Sequence, residues 1–187
     1  MAGTLSDFLS LTKPRVVILL QITAICSIIV HDMTRGGLEF GSIRTMGIVL
    51  VGGFLTAGGA NSINMWYDRD IDPIMKRTSG RAIPSGKVNS GQALIFGIVI
   101  SFLGVFWFVA LANSVAAFWS AFSILFYVLV YSMWLKRRTP QNIVIGGIAG
   151  STPPIIGWAA SEEGLSISMD SVESMTYSVL ELGSPLP

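Results

Sequence analysis

The chain is poor in what a soluble domain needs most, which is charge. Only 12% of its 187 residues are Asp, Glu, Lys or Arg, where soluble domains run near about 25%. Half are hydrophobic, at 51%, and the mean hydropathy is +0.65. A disordered chain, a coiled coil and almost every soluble fold are excluded. There is one cysteine, Cys26, so no internal disulfide and no multi-cysteine zinc or iron–sulfur site can form. The segment from Met1 to Thr12 has no basic residue and carries Asp7. With no A-x-A pattern after the first apolar run, a cleaved signal peptide lacks its marks. The same segment is unlike an Arg-rich, acid-poor transit peptide, which favours a prokaryotic plasma membrane.

What the chain has instead is charge-free length. Val16 to Val30 gives 15 such residues, Thr45 to Tyr67 gives 23, Val88 to Leu135 gives 48 and Thr139 to Ser161 gives 23. A helix needs about 20 apolar residues to cross the hydrocarbon core, so the 48-residue run holds two spans with a turn at Asn113-Ser114. The first run is short, but Lys13 and Arg15 can snorkel and Pro14 suits a helix start. The expected fold is an all-α polytopic transmembrane helix bundle of about five spans, near 14–31, 45–65, 92–112, 115–135 and 141–160. The pairs Gly52-Gly53, Gly58-Gly59 and Gly146-Gly147 suit close helix packing.

Alternating spans sort the charges by side. One side holds Lys13, Arg15, Arg69, Lys76, Arg77, Arg81, Lys87, Lys136, Arg137 and Arg138, ten of the 12 basic residues, with four of the 11 acidic ones. That side is six charges positive and the other five negative. Lys and Arg bias marks the cytoplasmic face, so the N-terminus and the loop from Met65 to Gly91 are expected in the cytoplasm of a multi-pass cell-membrane protein.

That loop is the informative stretch. Asn64, Asp68 and Asp72 stand four apart, which on a helix places them along one stripe, with Asn61 joining it and Asp70 on roughly the opposite face. Two carboxylates and an amide on one face repel unless a cation lies between them. Mg²⁺ prefers oxygen ligands and typically takes one or two carboxylates plus substrate phosphates. Lys76, Arg77 and Arg81 follow as countercharges for phosphate, Arg through its paired donors and Lys as a point charge. The bland alternative is a solvated loop that only sets topology. Polar groups at membrane depth are costly and tend to mark function, which weighs against it. His31 is a possible heme ligand by type, but it lies on the far side from the aspartates, and a plain interfacial histidine is the favoured reading.

Asn64-x3-Asp68-x3-Asp72 followed by Lys76-Arg77-Thr78 resembles the first aspartate-rich motif of the UbiA superfamily of membrane prenyltransferases. Three further stretches resemble its protoheme IX farnesyltransferase (heme O synthase) branch. These are Leu11-Thr-Lys13-Pro14-Arg15, the run Arg77-Thr78-x-x-Arg81-x-x-Pro84-Ser-Gly86, and the long run Lys136–Ala160 with Pro153-Pro154 and Gly157-Trp158. The resemblance covers about residues 7–160, and the last run is its most specific part. It implies farnesyl transfer from farnesyl diphosphate to a vinyl group of heme B, giving heme O with the help of Mg²⁺. By position it implies Asn64, Asp68 and Asp72 as catalytic metal–diphosphate ligands and Lys136 as a further catalytic residue. Lys76, Arg77, Arg81 and Tyr131 are implied as substrate-binding. Lys136 as a membrane anchor and Tyr131 as a belt residue remain the structural alternatives.

The family usually has nine spans and a second aspartate motif, and neither is found here. Residues 1–160 therefore read as the N-terminal part of a UbiA-type domain. Residues 161–187, with seven serines, five acidic residues and no basic one, read as an acidic, poorly structured tail unrelated to the family, with a weak helix at Val172–Leu182. The chain alone is expected to be weakly active or inactive. The alternatives are a non-catalytic membrane fragment or subunit, or a UbiA-type enzyme acting on another aromatic acceptor. The expected partners are farnesyl diphosphate, heme B, the lipid bilayer and a second copy of the chain, which would bury exposed faces, with no nucleic acid.

The charge sorting makes a direct prediction. With Cys26 replaced by serine, a cysteine at Ser79 is expected to react with a membrane-impermeant maleimide only from the cytoplasmic side. A cysteine at Gly37 is expected to react only from the opposite side, and the reverse pattern would invert the orientation.

Overall fold

The structure, a computed structural model, describes residues 3–139 and 141–162. The described residues form helices joined by turns, with no strand among them. A short helix α1, Leu5–Leu11, starts from a capping box in which Thr4 and Asp7 satisfy each other's backbone N–H groups. Five long helices follow. α2 is Pro14–Thr34, α3 is Phe40–Tyr67 and α4 is Ser90–Leu111. α5 begins as Ser114–Leu125 and runs on as a π-helical segment, Phe126–Leu135. α6 is Asn142–Ser161.

All five are long and apolar enough to cross a membrane, so the chain is a multi-pass membrane protein. The spans expected from the charge-free runs are the ones observed. The main extension is at α3, which starts at Phe40 because Glu39 and Ser42 form a capping box ahead of Arg44. The expected 161–187 tail lies outside the described residues from 163 onward, as does the expected helix at Val172–Leu182. Ser161 ends α6 and Glu162 is its C-cap.

Most large side chains on the span surfaces point outward, among them Leu19, Phe102, Phe106 and Leu129. In lipid these cost nothing, and helices associate through close packing instead. α3 and α4 show how. A Cβ on Gly59 would overlap Ser101 Oγ and stand 2.7 Å from the Gly97 carbonyl. Gly52 likewise leaves room for the ring of Phe108, which is fully buried. Gly147 departs from the expected packing role: nothing lies within 4 Å of its Cβ direction, because it faces a cavity.

Side-chain hydrogen bonds then tie each end of the bundle. At the end away from the aspartates, His31 is buried within the bundle. Its ring nitrogens lie 2.7 Å from Asp32 and 2.8 Å from Glu162, and its ring meets Trp158 edge-on. Arg35 adds a 2.6 Å bond to Glu162, and Asn113 donates to the carbonyls of Ala159 and Glu162. Glu162, beyond the last helical residue, is held below the usual carboxylate range by its hydrogen bond to His31, then by Arg35. The loop at the other end is anchored by Ala82 and Val88, buried with Leu11, Met65 and Ala93 against Phe8 and Phe96.

Filling the α3–α4 contact is expected to be costly. Gly59→Val should destabilise the bundle by about 3 kcal/mol, read as a lower thermal midpoint in detergent. Gly47→Ala, with open space around it, should stay within about 0.5 kcal/mol of the parent.

Candidate functional site

α3 carries its polar residues to the loop-bearing end. Asn61 donates to the carbonyl of Thr12 at 3.1 Å and accepts from the Tyr127 hydroxyl at 3.4 Å. Asn64, one turn on, donates to Ser132 Oγ at 2.9 Å and accepts from Lys13 Nζ at 3.1 Å. Asp68 caps the helix, is fully buried, and pairs with Lys136 Nζ through one carboxylate oxygen.

The expected helical stripe stops there. α3 ends at Tyr67, and Asp68–Asp70 turns as a 3₁₀ segment. Asp72 is off the helix, yet its N–H still bonds to the Asp68 carbonyl at 2.9 Å. It is only 2% exposed, and Arg81 Nη1 lies 2.8 Å from both of its carboxylate oxygens. The Thr78 hydroxyl closes the turn on the Asp72 carbonyl at 2.9 Å. Asp70 faces away as its spacing suggests, exposed and paired in a fork with Arg137, which also lies over the Tyr67 ring.

α5 reaches the same cluster through its π-helical segment. There the Ser132 hydroxyl and the Lys136 N–H bond to carbonyls five residues back, those of Tyr127 and Tyr131. π-Turns inside helices often mark functional positions. This one sets Ser132 against Asn64 and Lys136 against Asp68, and stacks Tyr127 on Tyr131 with centroids 5.3 Å apart. Gly146 on α6 leaves space for the Tyr131 ring.

Asn64, Asp68, Asp72, Arg81 and Lys136 are thus brought into one cluster. Lys76 and Arg77 are exposed on the loop outside it. Lys13 is the member that spacing alone does not reveal. It is the N-cap of α2, in the left-handed region at φ 52° and ψ 64°. The following Pro14 disfavours the right-handed helical region at this residue. Burial, then the cations of Arg81 and Lys136, push the Lys13 ammonium down to about 8.

Beneath the cluster lies a cavity of about 350 Å³ between α2, α3, α5 and α6. Asn61, Tyr127 and Tyr131 belong to its lining, and the remainder is mainly apolar or small, including Leu20, Gly147 and Ile156. Polar cluster and mainly apolar cavity thus adjoin through Asn61 and Tyr127, the pairing of characters that an amphiphile's head and tail require.

The fit to a divalent cation rests on one atom. Asp68 Oδ1 is buried and has no hydrogen-bond partner among the described residues. Such an oxygen is costly unless something takes it up. With Asn64 Oδ1 and the Asp72 carboxylate it offers the hard oxygen donors that Mg²⁺ prefers. Among the described residues no group of three or more His, Cys, Asp or Glu could hold a metal ion, so the remaining ligands would come from water or a bound anion.

The chain is similar to known proteins over most of its length. The UbiA prenyltransferase family profile matches residues 22–180. A protoheme IX farnesyltransferase of Bartonella henselae is 50% identical over 155 residues, covering 83% of this chain and 48% of that protein. One of Beijerinckia indica is 46% identical over 164 residues, covering 87% and 49%. A protoheme IX farnesyltransferase 2 of Mesorhizobium japonicum is 44% identical over 170 residues, covering 91% and 52%. The chain spans about half the length of these curated relatives. No solved structure matches it.

Breaking the buried pair tests the cluster's energetics. Lys136→Met is expected to cost about 3 kcal/mol by stranding Asp68, measured by thermal unfolding in detergent. Adding Asp68→Asn should recover more than half of that loss, because it removes the stranded charge.

Proposed function

The chain belongs to the UbiA prenyltransferase family, and from that premise we propose that its site takes farnesyl diphosphate and serves farnesyl transfer to a vinyl group of heme B, forming heme O. The observation that carries this reading is the junction of the buried polar cluster with the apolar cavity at Asn61, Tyr127 and Tyr131. The diphosphate sits at the mouth and the prenyl chain runs inward. The relatives' printed name, protoheme IX farnesyltransferase, supports the acceptor and the enzyme class.

The residues divide the work by charge. Lys136, Arg81 and Lys13 hold the diphosphate oxygens, with Arg81 supplying paired donors and the lysines point charges. Lys76 and Arg77, exposed at the loop, attract the anion toward the mouth. UbiA prenyltransferases generally depend on a divalent metal, and Asn64, Asp68 and Asp72 would hold it, Mg²⁺ in our reading. When bound, that ion withdraws charge from the leaving diphosphate.

The carbon–oxygen bond of the substrate breaks with its electron pair leaving on the diphosphate, and the electron-rich vinyl attacks the allylic cation. The positive charge this leaves on the vinyl's inner carbon is discharged by adding water and releasing a proton, which gives the hydroxyalkyl group of heme O. Lys136 and Arg81 lower the barrier by stabilising charge that grows on the departing oxygens. The apolar walls around Tyr131 keep water from the cation, and the stacked rings of Tyr127 and Tyr131 stabilise positive charge near their faces. We further propose that the protein sits in the cell membrane with its N-terminus and aspartate-bearing end in the cytoplasm, as the basic bias of that end supports.

The full chain in lipid nanodiscs is expected to bind farnesyl diphosphate saturably in the presence of Mg²⁺. Asp68→Asn/Asp72→Asn should weaken binding by at least about tenfold, a loss of about 1.4 kcal/mol. Farnesol, which lacks the diphosphate, should compete poorly. Equal binding by parent and variant would overturn the assignment.

A further inference from the structure

The oxygens that would hold a divalent cation already have cations on them, and those cations belong to the chain. Lys13 Nζ lies 3.1 Å from Asn64 Oδ1. Arg81 spans both oxygens of Asp72 at 2.8 Å. Lys136 takes Asp68 Oδ2, and only Asp68 Oδ1 is left over. Each donor comes from a different element: the start of α2, the loop and the end of α5. Both carboxylates are almost wholly buried.

We propose that Lys13, Arg81 and Lys136 are exchangeable counter-ions, so that a divalent cation and a diphosphate load together and neither loads well alone. This rests on the reading that the cluster binds a diphosphate, and it adds how that binding is gated. Two carboxylates and three side-chain cations leave the ligand-free cluster one charge positive. A divalent cation by itself raises this threefold in a site of low dielectric, where unpaired charge is costly. It must also share or displace the amine on Asn64. A diphosphate by itself draws the three cations off and strands Asp68 and Asp72. When both arrive, the phosphate oxygens take the ammonium and guanidinium donors, the metal takes the freed protein oxygens, and the charges cancel to within about one unit.

The exchange has a consequence that no simple loss of structure shares. Removing a resident cation should tighten the metal and weaken the anion. Removing a carboxylate should do the reverse. Lys13 is the informative position, because it makes no ion pair with either aspartate and reaches the metal's oxygens only through Asn64.

The test measures Mn²⁺ alone and inorganic pyrophosphate alone on the full chain in nanodiscs, by calorimetry and by the electron paramagnetic resonance of free Mn²⁺. Lys13→Met is expected to bind Mn²⁺ about tenfold more tightly than the parent and pyrophosphate about tenfold more weakly, the scale of one charge-assisted hydrogen bond. Asp68→Asn is expected to shift both ligands by a similar factor in the opposite directions. Arg81→Gln repeats the basic arm if Lys13→Met fails to assemble. Variants that move both ligands the same way, or leave measurable affinities unchanged, would overturn the exchange while the diphosphate reading stands. An affinity for each ligand that does not rise when the other is present would also overturn the exchange, and binding of neither even with both present would overturn both.

Discussion

Everything at the functional end depends on keeping two carboxylates charged inside a membrane protein. A buried carboxylate without partners is unaffordable in a medium that offers no water. Asp68 and Asp72 escape this only because Lys136 and Arg81 reach them. Those two pairs, with Lys13 on Asn64, also help fasten α5, the loop and α2 to α3. The site and the local tertiary structure are therefore one set of interactions. On the proposed reading, a ligand that enters the cluster has to replace contacts that help hold the fold together, so its loading and the protein's stability are expected to be linked.

The remainder of the bundle is built on a different force. Its outward faces are apolar and suit lipid, so there is little hydrophobic gain in bringing helices together. Small residues let backbones approach where contact is needed, as at Gly59 against Ser101 and Gly97. Polar groups then close the other end, where His31, Asp32, Arg35 and Glu162 join α2 to the end of α6. Between the two polar ends the helices leave a cavity, and its position under Asn61 and Tyr127 is what turns a charge cluster into an amphiphile site.

Much of this is legible in sequence because the bilayer imposes simple rules. Charge-free length predicts the five spans, and the grouping of ten basic residues at one end is matched by contacts such as Lys13 with Asn64 and Arg137 with Asp70. The four-residue spacing finds Asn64 and Asp68 and sets Asp70 apart. Other features depend on backbone geometry that spacing cannot express. Asp72 keeps its place through a turn, not through a continued helix. The π-helix into which α5 widens, where Ser132 meets Asn64 and Lys136 meets Asp68, is a second such feature. Lys13 looks like a snorkelling residue until the left-handed backbone before Pro14 is seen. Gly147 reads as packing in a list of glycine pairs and proves to be cavity wall.

The central claim is spatial: a diphosphate head in the Asn64–Asp68–Asp72 cluster and its prenyl tail in the cavity between α2, α3, α5 and α6. A farnesyl diphosphate analogue with a photoreactive group at the far end of its chain tests this directly, with adducts mapped by mass spectrometry on the full chain in nanodiscs. The account predicts adducts on cavity residues such as Leu20, Ile124 or Ile156, abolished by excess farnesyl diphosphate. Adducts confined to lipid-facing residues such as Phe102 or Leu129, and unaffected by competitor, would contradict it.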